Sequence, residues 1–217
     1  MLGKKYLTFH YFINYNNKMK YNDLILLIRT PIFSKNDLLS AGKKIQDYQF
    51  TLWAKKGYLV KLKNGIYAFA KDYEKIKGEE IASVLYQPSY LSLESALSFY
   101  GFIPEMVYAY VSVTGKTTRT FNNKFGHFIY RHIKSELFWG YREIKTDNGR
   151  YLIAEPEKAV LDYLYLNLAN INNQPDFESI RFNYDQLSET LSKGKFLNYM
   201  QAFGIKKLKR WAVQCLR

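Results

Sequence analysis

The spacing of apolar and polar positions divides this chain into a helical head, a strand-rich centre and a helical tail. Leu24 to Ile28 is an unbroken apolar run behind Asn22, a residue suited to cap a helix. The pattern predicts a first helix from Asn22 to about Thr30, buried because it is apolar nearly all round and ended by Pro31. Ser34 opens a second, short helix with Asp37 three residues on to complete a capping box, and Ala41-Gly42 breaks it. Lys43 to Lys56 reads as a third helix that stops at Gly57. On that helix Ile45, Tyr48, Leu52 and Trp53 fall at i, i+3, i+7 and i+8, the expected core stripe. The opposite face carries Lys43, Gln46, Asp47, Phe50, Thr51 and Ala54. Two strand-like runs follow, joined by Asn64-Gly65, a dipeptide that tolerates positive φ at both turn positions and is the strongest short hairpin signal.

Helix, turn, helix and a two-stranded wing, in that order and rich in lysine, predict a winged helix-turn-helix over residues 19–72. If the third helix enters a major groove, Gln46 is placed to pair with adenine and Lys43 with guanine or a phosphate. Phe50 and Ala54 are then placed against thymine methyls, on the same face as Asp47 and Thr51. Lys35, Lys44, Lys61 and Lys63 suit phosphate contacts, with Asn64 at the wing tip beside them. An outward phenylalanine marks some contact, and packing on a neighbouring domain is the alternative to DNA.

Beyond residue 72 the period changes. Lys77 to Tyr86 looks helical, and Ser92 is placed to cap the next helix, with Leu93, Ala96, Leu97 and Tyr100 on one face. Val107, Ala109, Val111 and Val113 then alternate with Tyr108, Tyr110, Ser112 and Thr114, a strand of period two. Phe125 to Ile133 is another, and Phe138 to Lys145 with Arg150 to Ala154 forms a hairpin about Asp147-Asn148-Gly149. Glu155-Pro156-Glu157 opens a helix, since proline suits its first position and carboxylates suit its N-terminal dipole. Asn170 to Asn183 reads as a loop, followed by helices near Asp185–Leu191, Lys195–Phe203 and Lys206–Leu216. The expected class is α+β: a winged head, then a mixed domain over residues 73–217 with a mostly antiparallel sheet and C-terminal helices.

Charge sharpens this division. Residues 1–70 carry 12 Lys/Arg against 3 Asp/Glu, residues 71–192 carry 13 against 16, and residues 193–217 carry 7 against none. A basic head suits a polyanion, most often nucleic acid, with solvated lysine as the bland alternative. The last helix, basic and amphipathic, leaves three readings open: a docked helix, a second nucleic-acid contact or a membrane-surface helix. Cys215 is the only cysteine, so no intramolecular disulfide forms, which suits a reducing cytosol and an inert structural thiol. No run approaches the roughly 18 apolar residues of a membrane span, and the N-terminus lacks a secretory h-region. Residues 1–18 fit no helix or strand. Met19 is therefore admitted as the true start, with residues 1–18 an extension of no structural role.

Enzyme chemistry finds little support. Glu155, Glu157, Lys158 and Asp162 bring carboxylates and a lysine together after a strand, as metal-dependent nucleases do. Here Pro156 starts a helix and their side chains splay round its first turn, which favours a dipole-satisfied helix start. His127 and His132 lie five apart on one strand, hence on opposite faces, and His10 lies in the extension. There is no zinc spacing, nucleophile elbow, P-loop or dinucleotide fingerprint. The expectation is no catalysis, no metal and no cofactor.

Four blocks carry a resemblance. Trp53–Phe69 (WAKKGYLVKLKNGIYAF) resembles the helix-plus-wing signature of AbiEi-type antitoxins, and Tyr90–Gly101 (YLSLESALSFYG) resembles the serine-led helix opening their second domain. Val111–Arg119 (VSVTGKTTR) and Ile153–Asp162 (IAEPEKAVLD) are similar to further family blocks, so the likeness spans about Asn22 to Leu166. The resemblance implies the antitoxin half of a type IV, abortive-infection toxin–antitoxin module in the cytoplasm. Its winged head would bind inverted repeats in the module's own promoter and repress it, as a monomer or weak dimer on DNA. Its second domain would counter a nucleotidyltransferase-like toxin without necessarily binding it stably. The partner surface for that role is expected at Arg119, Glu155, Glu157 and Lys158. A winged-helix regulator without a toxin is the first alternative, and an enzyme using Glu155, Glu157 and Lys158 the second.

Overall fold

A computed structural model describes residues 19–216. The extension proposed for residues 1–18, with His10, lies outside the described residues. The head runs α1 (Tyr21–Leu27), β1 (Ile32–Ser34), α2 (Lys35–Ser40), α3 (Asp47–Lys55), β2 (Leu59–Lys63) and β3 (Ile66–Phe69). Its three strands form an antiparallel sheet in the order β1-β3-β2. Leu24, Phe33, Leu38, Phe50, Trp53, Leu59, Tyr67 and Phe69 make its core. The capping box at Ser34 forms as expected: its hydroxyl accepts from the Asp37 N–H, and its own N–H donates to the Asp37 carboxylate at 2.6 Å. The hairpin turns at Asn64-Gly65, with Gly65 at φ 83°, a conformation glycine adopts without steric cost.

Two head helices differ from the expectation. The first starts at Tyr21, not after an Asn22 cap, and ends at Leu27, with Leu24 its one buried residue and Leu26 78% exposed. A two-turn helix offers the core one face, so apolar composition all round did not bury it. The third begins at Asp47, with Lys43–Gln46 outside it. The end of α2 explains this: the Lys43 N–H donates to Leu38 O (2.8 Å) and the Gly42 N–H to Leu39 O (2.9 Å), a six-to-one and five-to-two pair that turns the chain out of helix. The buried stripe of α3 is Gln49, Phe50 and Trp53, while Tyr48 and Leu52 face outward. Phe50 stacks on Tyr67 at 4.8 Å and meets Trp53 edge-on at 5.9 Å, and these rings set the rotation of the helix.

The body is mixed α+β. Its sheet holds β4 (Ser89–Leu91), β5 (Ala109–Thr114), β6 (Arg119–Asn123), β7 (Gly126–His132), β8 (Tyr141–Lys145) and β9 (Arg150–Ala154), in the order β6-β7-β5-β4-β9-β8. Pairs β4/β5, β6/β7 and β8/β9 are antiparallel, and β4/β9 and β5/β7 are parallel. The helices are α4 (Gly78–Leu85), α5 (Leu93–Phe99), α6 (Pro156–Asn167), α7 (Gln174–Glu178), α8 (Tyr184–Thr190), α9 (Lys193–Phe203) and α10 (Lys206–Ala212). The expected loop at Asn170–Asn183 contains α7, which Asn173 caps through the Asp176 N–H (2.9 Å) with Pro175 in its first turn. On β5, Ser112 and Thr114 are as buried as Val111 and Val113, because this inner strand is covered on both faces. The basic tail docks: Leu208, Trp211 and Cys215 are buried, and Trp211 stacks on Phe177 at 5.3 Å. No helix among the described residues is long and apolar enough to cross a membrane.

Head and body share packing. Leu62 and Ala68 of the hairpin join the body's core, and Asn123 Nδ2 donates to Leu62 O at 3.3 Å. In the first turn of α4, a Cβ built on Gly78 would overlap the Tyr110 ring. Gly78→Ala therefore sets a steric cost of about 1–3 kcal/mol against a helix-propensity gain of about 1 kcal/mol. Net destabilisation is expected in urea unfolding of the full chain; a raised midpoint would show that α4 moves freely against β5.

Candidate nucleic-acid interface

The outward surface of the head is built by α3, the segment before it and the hairpin. Lys43, Lys44 and Gln46 are exposed on the extended connection into α3, with Gln46 at the N-cap position. Asp47 and Thr51 are exposed on α3, and the Thr51 hydroxyl donates to the Asp47 carbonyl at 3.2 Å. Lys35 lies across the start of that helix: its Nζ stands 2.6 Å from Asp47 Oδ1 and 5.6 Å above the Phe50 ring. With Asp47 82% exposed, this pair orients Lys35 more than it stabilises the fold. Lys61 is exposed on β2 and Asn64 at the turn. The face also presents Lys55, together with Tyr48 and Leu52, which were expected in the core stripe.

Two residues leave the interface. Phe50, read as outward, is 1% exposed and centres the head core. Lys63 turns inward: its Nζ donates to the Leu85 carbonyl and stands 5.4 Å over the Phe121 ring. Burial, then the like charges of Lys116 and Arg119, hold its ammonium below the ordinary lysine value. Regular alternation would give Lys61 and Lys63 one direction, but the β2 register shifts between them, and Lys63 meets the body across the junction. That meeting is non-local and left no mark in the sequence.

The expected partner surface at the start of α6 is mostly interior. Glu157 is 3% exposed, and its Oε1 accepts the Ser192 N–H at 2.9 Å where α9 begins. Lys158 is fully buried beside the equally buried Asp162, with which it forms an ion pair, and Tyr90 OH lies 2.9 Å from its Nζ. Tyr90 and Ser92 each donate a hydroxyl to Asp162 Oδ2 at 2.9 Å, and the Trp139 and Phe203 rings stand 5.1 Å from the ammonium. Burial lowers the Lys158 pKa against the pull of Asp162, and raises that of Asp162 against the pull of Lys158. Ser92 stands at the cap position of α5 but makes no cap bond; its hydroxyl is committed to Asp162, next to Leu93 at φ 52°. Splaying was the wrong picture: one turn of α6 brings residues 158 and 162 onto a single inward face.

Glu155 is the more accessible member, held by Lys195 at 3.0 Å and by the Tyr199 hydroxyl. Burial raises its pKa, but these two hydrogen bonds outweigh it and leave the carboxyl below its ordinary value. Arg119 is exposed at the start of β6. His127 and His132 sit on β7, against Asn122 Oδ1 (2.7 Å) and Lys116 O (2.9 Å) respectively. The Cys215 thiol is 1% exposed and pushed up to about 12 by burial, which leaves it protonated and shielded.

No family model and no curated protein matches the chain.

The exposed groups that converge are those of α3, the segment 43–46 and the hairpin. The fully buried ones, Lys158 and Asp162, are closed to solvent and hence to a substrate.

Proposed function

We propose that residues 19–72 form a winged helix-turn-helix that binds double-stranded DNA, and that the chain is a transcriptional repressor and antitoxin of a type IV module, acting in the cytoplasm. The observation that carries the DNA-binding reading is the order α1-β1-α2-α3-β2-β3 with strands paired β1-β3-β2. In such an arrangement α3 is free to enter a major groove while the hairpin lies along the backbone. The charge balance of the head supports a polyanionic partner. Tyr48, Thr51 and Lys55 are the base-facing candidates on α3, with Gln46 at its start, and Lys43, Lys44 and Lys61 the phosphate contacts. Phe50 and Lys63 have no part in this reading. The antitoxin role rests on the resemblance of four sequence blocks to those of AbiEi-type proteins, and a nucleotidyltransferase-like toxin is its proposed counterpart.

A mobility-shift titration on the DNA upstream of the gene, with scrambled DNA as competitor, tests the first part. Thr51→Ala is expected to cost about 1–3 kcal/mol on the operator and to relax sequence preference. Lys61→Ala is expected to weaken all sequences alike and to flatten the salt slope by about one contact. Equal losses on operator and scrambled DNA for Thr51→Ala would remove it from base reading, and no preference for the upstream DNA at all would sink the repressor role. For the antitoxin role, co-expression should restore growth to cells making the neighbouring toxin; failure to do so leaves a regulator only.

A further inference from the structure

The junction between hairpin and body holds a cleft of about 620 Å³, of whose lining residues the DNA-binding reading uses Lys61 alone. Its walls are Lys61, Lys63 and Asn64 of the hairpin on one side and Tyr86, Arg119 and Phe121 of the body on the other. A second concavity, sharing Tyr86, continues past Lys116, Thr117 and His132. Four cations thus approach one junction. The described residues give none of the four a carboxylate partner within ion-pair distance.

Two of these cations are fixed by neutral groups. Lys63 Nζ donates to the Leu85 carbonyl and Lys116 Nζ to the Gln87 carbonyl (2.5 Å), one on each side of Tyr86. Main-chain carbonyls orient an ammonium without cancelling its charge. Lys116 lies 5.6 Å over the Tyr86 ring, whose hydroxyl is 3.2 Å from Thr117 Oγ1. Like charges held together and partly desolvated are costly unless an anion joins them. Burial first, and then the like charges of Lys116 and Arg119, lower the Lys63 pKa, so these cations stand close enough to repel one another. The half-buried rings of Tyr86 and Phe121, 6.0 Å apart, add an aromatic wall beside the cations.

We infer that this cleft binds a nucleotide, its phosphates on Arg119 and Lys61 and reaching toward Lys116 in the adjoining concavity, its base against Tyr86 and Phe121. The ligand chemistry is a phosphate ester plus a flat aromatic ring. The volume lies in the range of small-ligand sites. A duplex backbone offers the same phosphates, but here Lys63 is turned inward and Lys116 lines the adjoining concavity beyond Tyr86. The inference shares Lys61 with the DNA-binding reading but does not rest on it: it needs no operator, and ATP binding is measured on the chain alone.

The test is calorimetric titration of the full chain with ATP, tripolyphosphate and inorganic phosphate, for the native protein, Arg119→Ala and, as a control away from the cleft, Lys209→Ala on α10. Arg119 makes no ion pair with a described residue, so its variant is expected to keep the fold, which its unfolding curve would verify. ATP is expected to bind the native chain and Lys209→Ala equally, and Arg119→Ala at least about tenfold more weakly, the effect of one charge-assisted contact. Tripolyphosphate is expected to bind more weakly than ATP, because it cannot use the aromatic wall. The inference falls if ATP does not bind, if Arg119→Ala leaves its affinity unchanged, or if tripolyphosphate binds as tightly. A random-sequence duplex provides the last arm: weaker duplex binding by Arg119→Ala with no ATP binding to the native chain would assign the cations to the DNA backbone and overturn the nucleotide site.

Discussion

Lys158→Met is expected to destabilise the chain by about 3–5 kcal/mol, the cost of leaving a buried charge without its partner. Methionine fits the space among Tyr90, Trp139 and Phe203, where its thioether packs well against rings. The loss is therefore electrostatic: Asp162 stays fully buried with two hydroxyl donors and no cation. The double variant Lys158→Met with Asp162→Asn removes both charges and keeps an acceptor for Tyr90 and Ser92. It is expected to recover most of the stability, since a buried ion pair replaced as a unit costs little. Denaturant unfolding of the full chain measures both. Costs that simply add would mean that the two groups do not act as a pair.

The same variant carries a pH dependence with a definite sign. Burial raises the Asp162 pKa, and Lys158 opposes that rise. Without Lys158 the folded pKa moves further above the unfolded value. A raised folded pKa gives stability that is present at low pH and lost as pH rises through that pKa. The deficit of Lys158→Met should therefore be largest near neutrality and narrow as pH falls toward the ordinary carboxylate range. A deficit that stays constant with pH would indicate lost packing rather than an unpaired carboxylate.

Much of the fold was legible because local signals dominate it. The Ser34 box, the Asn64-Gly65 turn, the Asp147–Gly149 hairpin and the Pro156 helix start are each specified by a few neighbouring residues. What was not legible depends on distant partners. Strand β6 carries Arg119, Thr120, Asn122 and Asn123, which have no apolar alternation to announce it; it exists because β7 offers it a ladder. The parallel pairings of β4 with β9 and β5 with β7 join segments far apart in sequence. The pattern of α6 located its start but hid its chemistry, because a lysine and an aspartate four apart on an apolar helix read equally as solvated charge or as an inward pair. The cleft at Lys63 was hidden for the same reason: its walls meet only in the folded chain.

Phe50→Ala is the second large effect, and it decides which face of α3 is the core. Two apolar stripes run through Trp53, one with Tyr48 and Leu52 and one with Phe50. The polar Gln49 beside Phe50 made the first look better, yet Gln49 is itself buried and donates its amide to the Met19 carbonyl. That hydrogen bond removes the objection to a glutamine on the core face. Phe50 stacks on Tyr67, meets Trp53 and supports Lys35, so its removal leaves a cavity at the centre of a small core. The expected cost is about 3–5 kcal/mol. Small domains hold little reserve, so the head of this variant should melt separately from the body, with early loss of amide-exchange protection in residues 19–69. Tyr48→Ala, at a side chain 52% exposed, is expected to cost far less stability than Phe50→Ala and to weaken DNA binding. A stable Phe50→Ala protein with a collapsed Tyr48→Ala head would reverse the two faces, and with them the assignment of Tyr48, Thr51 and Lys55 to the groove.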